Sequence, residues 1–303
     1  MLPERADLHC HSTASDGRLS PPQLVERAKQ LGLKALALTD HDTVAGLGLF
    51  HAAGRAQNLE TLSGVEISAD YESGTMHLLG LLIDPQSQAL RAFLKQLAEG
   101  RQVRNPQIVA RLRALGMAIT MQEVEAEAAV SNAGIDGVGL SEKSIGRPHI
   151  AAVLIRKGYA ESKQAAFDKY LAKGRPAYVS RYLATPEESI KQIQDAQGLA
   201  ILAHPPYLMA KDEAELEQTV GELKNQGLDG IEAYFSTHTP SQAVLCERLA
   251  KKFELLITGG SDFHGDLGRG GAKVELGYGV NGNLCVKYEL VQKLKEHQAR
   301  RLR

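Results

Sequence analysis

Short apolar runs alternate with longer amphipathic stretches along most of this chain, and the two patterns predict different elements. Runs with the length and residue types of strands occur at 6–11, 34–39, 61–67, 76–83, 199–203, 230–234 and 255–258. Helical patterns lie between most of them. The clearest begins at Ser20, with Ser at the N-cap, Pro21 in the first turn and Gln23 three residues after the cap. Leu24, Val25, Ala28 and Leu31 then share one face, and Gly32 ends the pattern. Strands separated by helices predict a mainly parallel sheet. Polar residues gather just after the strands' C-terminal ends, as they do at the mouth of an α/β barrel.

Between residues 88 and 180 this rhythm is lost. The stretch predicts several helices and no clear strand, with apolar faces marked by Leu97, Val103, Ile108, Leu112 and Leu115. Further helices are expected at 150–154 and 165–171, and a glycine-rich loop at 134–139. The expected architecture is a barrel built from 1–87 and 181–303, with a helical insertion, 88–180, capping its mouth.

Bulk composition adds three constraints. The 303 residues are 43% hydrophobic, enough for a large core. The net charge of -1 gives no sign of a duplex-DNA or membrane partner, but residues 101–181 hold thirteen Lys/Arg against seven Asp/Glu, a local surplus of six that leaves the rest at -7. That asymmetry suits an anionic ligand held between the two parts, and equally a solvated helical surface. The three cysteines, Cys10, Cys246 and Cys285, are far apart and odd in number, which fits a reducing compartment. The N-terminus shows no apolar signal region and no run approaches membrane-spanning length, so a cytoplasmic protein is expected.

The candidate chemistry lies in the histidines. Six of the ten stand beside carboxylates near predicted strand ends: Asp7-Leu8-His9-Cys10-His11 followed by Asp16, Thr39-Asp40-His41-Asp42, Glu66, His77, His204, and Asp262-Phe263-His264. Alternation along a strand turns His9 and His11 the same way and Cys10 the other, towards a helix. Mixed nitrogen and oxygen donors suit zinc, manganese or iron. Singly, Asp16 reads as a turn residue, His77 as a hydrogen-bonded strand histidine and His204 as a turn before Pro205. Together, converging residues of these types predict a metallohydrolase. Asp40 and Asp42 have two open readings: orienting a ligating histidine, or capping a helix.

These residues resemble the PHP family, named for polymerase and histidinol phosphatase. The resemblance runs across nearly the whole chain outside the insertion, on His9, His11, Asp16, His41, Glu66, His77, His204, Asp262 and His264. It implies a distorted seven-stranded α/β barrel and two or three divalent ions. His9, His11, Glu66 and Asp262 would hold one ion; a bridging Glu66 with His77 and His204 a second; Asp16, His41 and His264 a third. The implied reaction is in-line attack on phosphorus by hydroxide generated on the metals. Its catalytic set is Glu66 and Asp262, with His204 and His238 as candidate acids; His238 reads equally well as a loop histidine. With three carboxylates against two or three divalent ions the site stays positive, favouring a phosphate ester over a neutral amide.

Arginine forks phosphate oxygens, and Arg101, Arg104, Lys143, Arg147, Lys173, Arg175 and Arg181 are the candidate substrate-binding residues. Arg147 and Arg175 each stand between Gly and Pro. The runs Gly146-Arg147-Pro148-His149 and Gly174-Arg175-Pro176-Ala177-Tyr178 resemble the family branch containing nucleoside 3′,5′-bisphosphate phosphatases and 5′-3′ exoribonucleases acting on short RNA. The branch implies a nucleotide losing its 3′-phosphate while the cap holds the other, for example adenosine 3′,5′-bisphosphate giving AMP. Tyr207, Tyr178 and Phe263 are candidates to stack on a base, although core packing is the commoner use of any single aromatic. Competing readings are short-RNA exonuclease, histidinol-phosphate hydrolysis, whose substrate leaves the insertion's arginines without a role, and a non-catalytic metal-binding module.

Overall fold

A computed structural model describes residues 3–131, 144–265 and 273–303 of the chain. The glycine-rich stretch at 134–139 and Lys143 lie outside the described residues. Seven strands fall on the expected runs: β1 (Arg5–Asp7), β2 (Ala35–Leu38), β3 (Glu60–Ala69), β4 (Met76–Leu81), β5 (Leu199–Leu202), β6 (Gly230–Phe235) and β7 (Leu256–Gly260). The first is shorter than expected: β1 stops at Asp7, and His9 and His11 lie beyond it, on either side of an isolated bridge between Cys10 and Phe263. Neighbours pair in parallel except at β4, which runs antiparallel to both β3 and β5. The reason is local. Only residues 70–75 join β3 to β4, too short a connection for a parallel crossover.

Among the described residues the sheet holds these seven strands and one short strand more. Three two-residue strands follow β7: β8 (Val274–Glu275), β9 (Gly279–Val280) and β10 (Val286–Lys287). β8 and β9 pair with each other, while β10 pairs antiparallel with β1, giving the order β10-β1-β2-β3-β4-β5-β6-β7. Two residues are too few to show a strand periodicity in sequence. At the other end the barrel closes directly, through Leu8 N to Gly259 O at 3.2 Å, Asp262 N to His9 O at 2.8 Å and His11 N to Phe263 O at 2.9 Å. A Cβ at Gly260 would lie 2.3 Å from His9 Cβ, so only glycine lets the two segments meet.

Alternation divides the strand side chains between two cores. Ala35, Ala37, Leu62, Leu79, Leu81, Leu199 and Ile201 form one cluster with Val291 and Leu294 of the last helix. The intervening Leu36, Leu38, Val65, Ile67, Leu78 and Leu202 belong to the larger cluster that packs the surrounding helices. Glu66 has the parity of Leu62, and His77 that of Leu79 and Leu81. They therefore extend the first row towards the barrel mouth.

The helices are α1 (Pro21–Gln30), α2 (Leu47–Gln57), α3 (Gln88–Ala114), α4 (Met121–Ser131), α5 (Arg147–Arg156), α6 (Lys163–Ala166) leading into a π-helical turn (Phe167–Leu171), α7 (Pro186–Asp195), α8 (Glu213–Asn225), α9 (Pro240–Lys252) and α10 (Tyr288–Arg301). α1 carries the expected reciprocal cap between Ser20 and Gln23. Among the described residues no helix is long and apolar enough to cross a membrane. α3 serves two cores. Leu90, Phe93, Leu94 and Leu97 join the barrel–helix core, whereas Ile108, Val109 and Leu112 join a separate cluster with Val124, Ile150, Val153, Leu154 and Leu171. Val103 and Leu115, expected on apolar faces, are 66% and 48% exposed. The buried stripe instead runs through Leu97, Arg101, Arg104, Ile108 and Leu112, at helical spacing. Two arginines thus occupy positions where the pattern predicts apolar residues.

Candidate metal centre and anion pocket

At the barrel mouth the strand-end residues converge. His9 Nε2 lies 3.4 Å from both Glu66 Oε2 and Asp262 Oδ1, and His11 Nε2 lies 3.1 Å from the same two oxygens. Beside this group, Glu66 Oε1 is 2.5 Å from His77 Nδ1 and 3.1 Å from His204 Nε2, and the two imidazole nitrogens are 3.3 Å apart. His41 Nδ1 reaches Glu66 Oε2 at 3.0 Å. A third group surrounds Asp16 Oδ1, with His264 Nε2 at 3.2 Å and His11 Nδ1 and His41 Nε2 both at 3.9 Å. The turn bearing Asp16 packs tightly under His11. A Cβ at Gly17 would lie 2.2 Å from His11 O. All nine residues of the sequence-derived set therefore meet in one place. Cys10 points away, with Sγ donating to Ala37 O at 3.2 Å within the helix-packing core.

The donor set fits divalent cations. Ligand atoms about 2.1 Å from an ion at tetrahedral angles lie about 3.4 Å from one another, the separation seen in the first group. Buried lone pairs aimed at each other are costly unless something positive satisfies them. His9 Nε2, His11 Nδ1 and Nε2, His41 Nδ1, Asp16 Oδ1 and Glu66 Oε2 are buried without a hydrogen-bond partner. The electrostatics agree. Burial alone would raise Glu66 and Asp16, yet the imidazoles around them hold both well below the usual carboxylate range. Burial alone would lower His11, yet the carboxylates of Asp262 and Glu66, each 3.1 Å from its Nε2, push it up to about 10. Not every imidazole gains charge: burial brings His204 down to about 3 and also lowers His264, leaving them as neutral donors.

Buried carboxylates outside the cluster hold its loops. Asp40 accepts from Ser12 N at 2.8 Å, Ser12 Oγ at 2.6 Å and Ser15 Oγ at 2.6 Å, fixing the turn before Asp16. Asp7 accepts from His9 N, Ser261 N and Gly277 N, joining the two ends of the barrel seam. Glu232 accepts from His9 Nδ1 at 3.0 Å and from His204 N at 2.8 Å. Sequence reasoning missed Glu232, which sits inside a strand with no neighbouring histidine to mark it.

Above the cluster opens a cavity of about 370 Å³, lined by Asp16, His41, Glu66, His77, His204, Asp262 and His264 on one side. Arg101, Arg104, Arg147, Lys163, Lys173 and Arg181 line the other. Arg101 and Arg181 both donate to Asp42 Oδ2, Arg181 at 3.0 Å, and Ser68 N donates to Asp42 Oδ1 at 3.0 Å. Asp42 thus neither orients a cluster histidine nor caps a helix; it ties the cationic wall to the barrel. Arg104 donates to Asn105 Oδ1. Burial, then the charges of Arg101, Arg147 and Arg181, bring its pKa down to about 8. Arg147, the first residue of α5, donates to Leu171 O at 3.1 Å and lies 5.5 and 5.8 Å from the ring centres of Phe167 and Tyr178. Lys163, which sequence reasoning also missed, places Nζ 3.7 Å from Asp16 Oδ2.

Other sequence candidates fall elsewhere. Arg175 is exposed on a turn and does not line the cavity. His238 is also absent from the cavity wall; its Nδ1 donates to Ala233 O at 2.9 Å and its ring packs on Phe235. Of the two acid candidates only His204 is within the cluster. Phe263 is 3% exposed, belongs to the core and does not line the cavity, so of its two readings core packing is the one the structure shows. Tyr178 lines the cavity, whereas Tyr207 packs against His204 with ring centres 4.7 Å apart.

A nearly closed α/β barrel whose mouth holds imidazoles and carboxylates around shared oxygens, facing a wall of arginines, defines a metal-dependent hydrolase of phosphate esters. The chain belongs to the PHP family: the PHP domain matches residues 7–269. It is 35% identical over 272 residues to the 3′,5′-nucleoside bisphosphate phosphatase of Chromobacterium violaceum, covering 88% of this chain and 90% of the relative. It is 34% identical over 264 residues to a 5′-3′ exoribonuclease of Haemophilus influenzae, covering 87% of this chain and 91% of that protein. The 5′-3′ exoribonuclease Rnm of Salmonella typhimurium is 36% identical over 287 residues, 91% of each chain. Among solved structures, an amidohydrolase from Chromobacterium violaceum with bound sulfate superposes with a TM-score of 0.81 at 32% identity, covering 96% of both chains.

Proposed function

We propose that this enzyme removes the 3′-phosphate of nucleoside 3′,5′-bisphosphates, using two or three divalent ions of manganese, zinc or iron. The observation that carries the reading is a single cavity with two separate places for a phosphate: the imidazole–carboxylate cluster on its floor and the arginines on its wall. Its volume of about 370 Å³ is of the size that small-molecule ligands occupy. Bound at the cluster, divalent ions polarise phosphoryl oxygens and make a water acidic enough to lose its proton near neutral pH. His9, His11, Glu66 and Asp262 are proposed to hold one ion, Glu66 with His77 and His204 a second, and Asp16, His41 and His264 a third.

The remaining steps belong to the chain's own groups. Arg101, Arg104, Arg147, Lys173 and Arg181 hold the phosphate that does not react. Asp42 keeps two of these forks aimed, and Phe167 and Tyr178 flank a third. Fixing the remote phosphate orients the reacting one for in-line attack. Residues 88–180 act as the cap that supplies this wall, which their separate apolar core supports. A cytoplasmic location fits the three unpaired cysteines.

A second reading, 5′-3′ exoribonuclease on short RNA, is favoured by the names of two of the relatives. It needs the same cluster and the same wall, with a nucleotide as leaving group. The test is a substrate panel with manganese-loaded protein: adenosine 3′,5′-bisphosphate, AMP, histidinol phosphate and a short 5′-phosphorylated RNA. The bisphosphate is expected to give the highest kcat/KM. Preference for AMP or histidinol phosphate would refute the assignment, and preference for the RNA would select the second reading.

A further inference from the structure

Glu232 is fully buried in the middle of β6, one layer below the cluster. A carboxylate there must be satisfied on both oxygens or carry a heavy desolvation cost. Both are engaged, by different parts of the site. Oε1 accepts from His9 Nδ1 at 3.0 Å, and Oε2 accepts from His204 N at 2.8 Å.

Each bond constrains a different property. A proton held on His9 Nδ1 leaves Nε2 with its lone pair, and Nε2 is the atom that faces Glu66 and Asp262 at 3.4 Å. The bond to His204 acts on backbone. His204 has φ 29° and ψ 64°, a conformation non-glycine residues rarely adopt. Its N–H is pinned by Glu232, and in that conformation its Nε2 stands 3.1 Å from Glu66 Oε1.

The strand is irregular where this is needed. Pairing between β6 and β7 shifts between Glu232 and Tyr234. Beyond this shift Tyr234 donates from its hydroxyl to Glu247 of α9, and Phe235 packs against the rings of His9 and His204.

We propose that Glu232 is a positioning residue that fixes the tautomer of His9 and the backbone of His204 together, so that one carboxylate sets the geometry of two neighbouring cation positions. This rests on reading the cluster as a metal centre. Gln at 232 can present its carbonyl to only one of the two N–H donors and sets an NH2 against the other. Asp is one methylene shorter and reaches only one.

The test is metal binding, not turnover. Metal-free wild type, Glu232→Gln and Glu232→Asp are titrated with Mn2+ and Co2+ by calorimetry and chelator competition, with the Co2+ absorption bands recorded. Folding of each metal-free protein is followed by circular dichroism. The expected result is a 10–100-fold loss of affinity at two positions in Glu232→Gln with altered Co2+ bands. Glu232→Asp is expected to lose affinity at one position only, and it carries the test alone should the Gln variant not fold. Wild-type affinities and unchanged bands in a folded variant would overturn the role of Glu232. Failure of the wild type itself to bind either ion would instead overturn the metal-centre reading.

Discussion

The two walls of the cavity solve opposite problems. The barrel floor concentrates donors with lone pairs and is stabilised by positive charge. The opposite wall concentrates guanidinium groups around a single carboxylate, Asp42, and is stabilised by negative charge. The floor is built from residues at the ends of several strands, each placed by sheet pairing and tied down by Asp7, Asp40 and Glu232. The wall is built mainly from helix and turn residues around a smaller core of its own. A substrate carrying two phosphates satisfies the wall with one, while the other meets the ions on the floor. The contrast shows how one cavity binds an anion at both ends without being uniformly basic.

The contrast breaks most severely at Glu66, whose two oxygens lie within 3.4 Å of nitrogens from His9, His11, His41, His77 and His204. Glu66→Gln is expected to lower kcat/KM by more than about 10³-fold, at least as much as losing one transition-state hydrogen-bond donor. It should also reduce bound metal, measured by elemental analysis of the purified variant. Activity near wild type would show that the floor is not the reacting centre.

Arg104 tests the wall. Its pKa is brought down to about 8 by burial and by three like charges, so a negative group beside it is favoured. Arg104→Met is expected to raise stability in phosphate-free buffer by about 1–2 kcal/mol, seen as a higher Tm. Adding phosphate should stabilise the wild type more than the variant, and KM for the bisphosphate should rise about 10–100-fold with the charge-assisted bond lost. A destabilised variant with unchanged KM would make Arg104 a packing residue.

The smallest effect is expected at His238, away from both walls. Burial lowers its pKa below 6.5, so between the two values the unfolded chain binds a proton that the folded chain does not. Its contribution to stability is complete above pH 6.5 and declines as the pH falls towards the folded value. His238→Gln should flatten the fall in Tm between pH 7 and 5 while leaving kcat/KM within about twofold. A large loss of activity would return His238 to the catalytic set.

The floor was the legible part because strands report themselves locally. A donor at the end of an apolar run, or two histidines at alternate positions just beyond one, can be placed from its neighbours alone. The same local logic located seven strands, the Ser20 cap and the helices among the described residues between 88 and 171. It named Arg101 and Arg104 as candidates, and the cavity wall holds both, but it did not foresee their place on a buried helical stripe, and it overestimated Val103 and Leu115. It brought Arg175 forward because Gly and Pro flank it, and passed over Lys163, which reaches Asp16.

Sequence alone therefore determined which chemical groups the barrel presents and the faces on which they lie, because periodicity and turn chemistry act over a few residues. Only tertiary structure decided which distant groups share an atom's surroundings. The meeting of Asp42 with Arg101 and Arg181 joins residues 59 and 139 apart, that of Glu232 with His9 residues 223 apart, and that of β10 with β1 the two ends of the chain. Such pairings depend on how the barrel closes and the helices pack, and no local pattern carries that information.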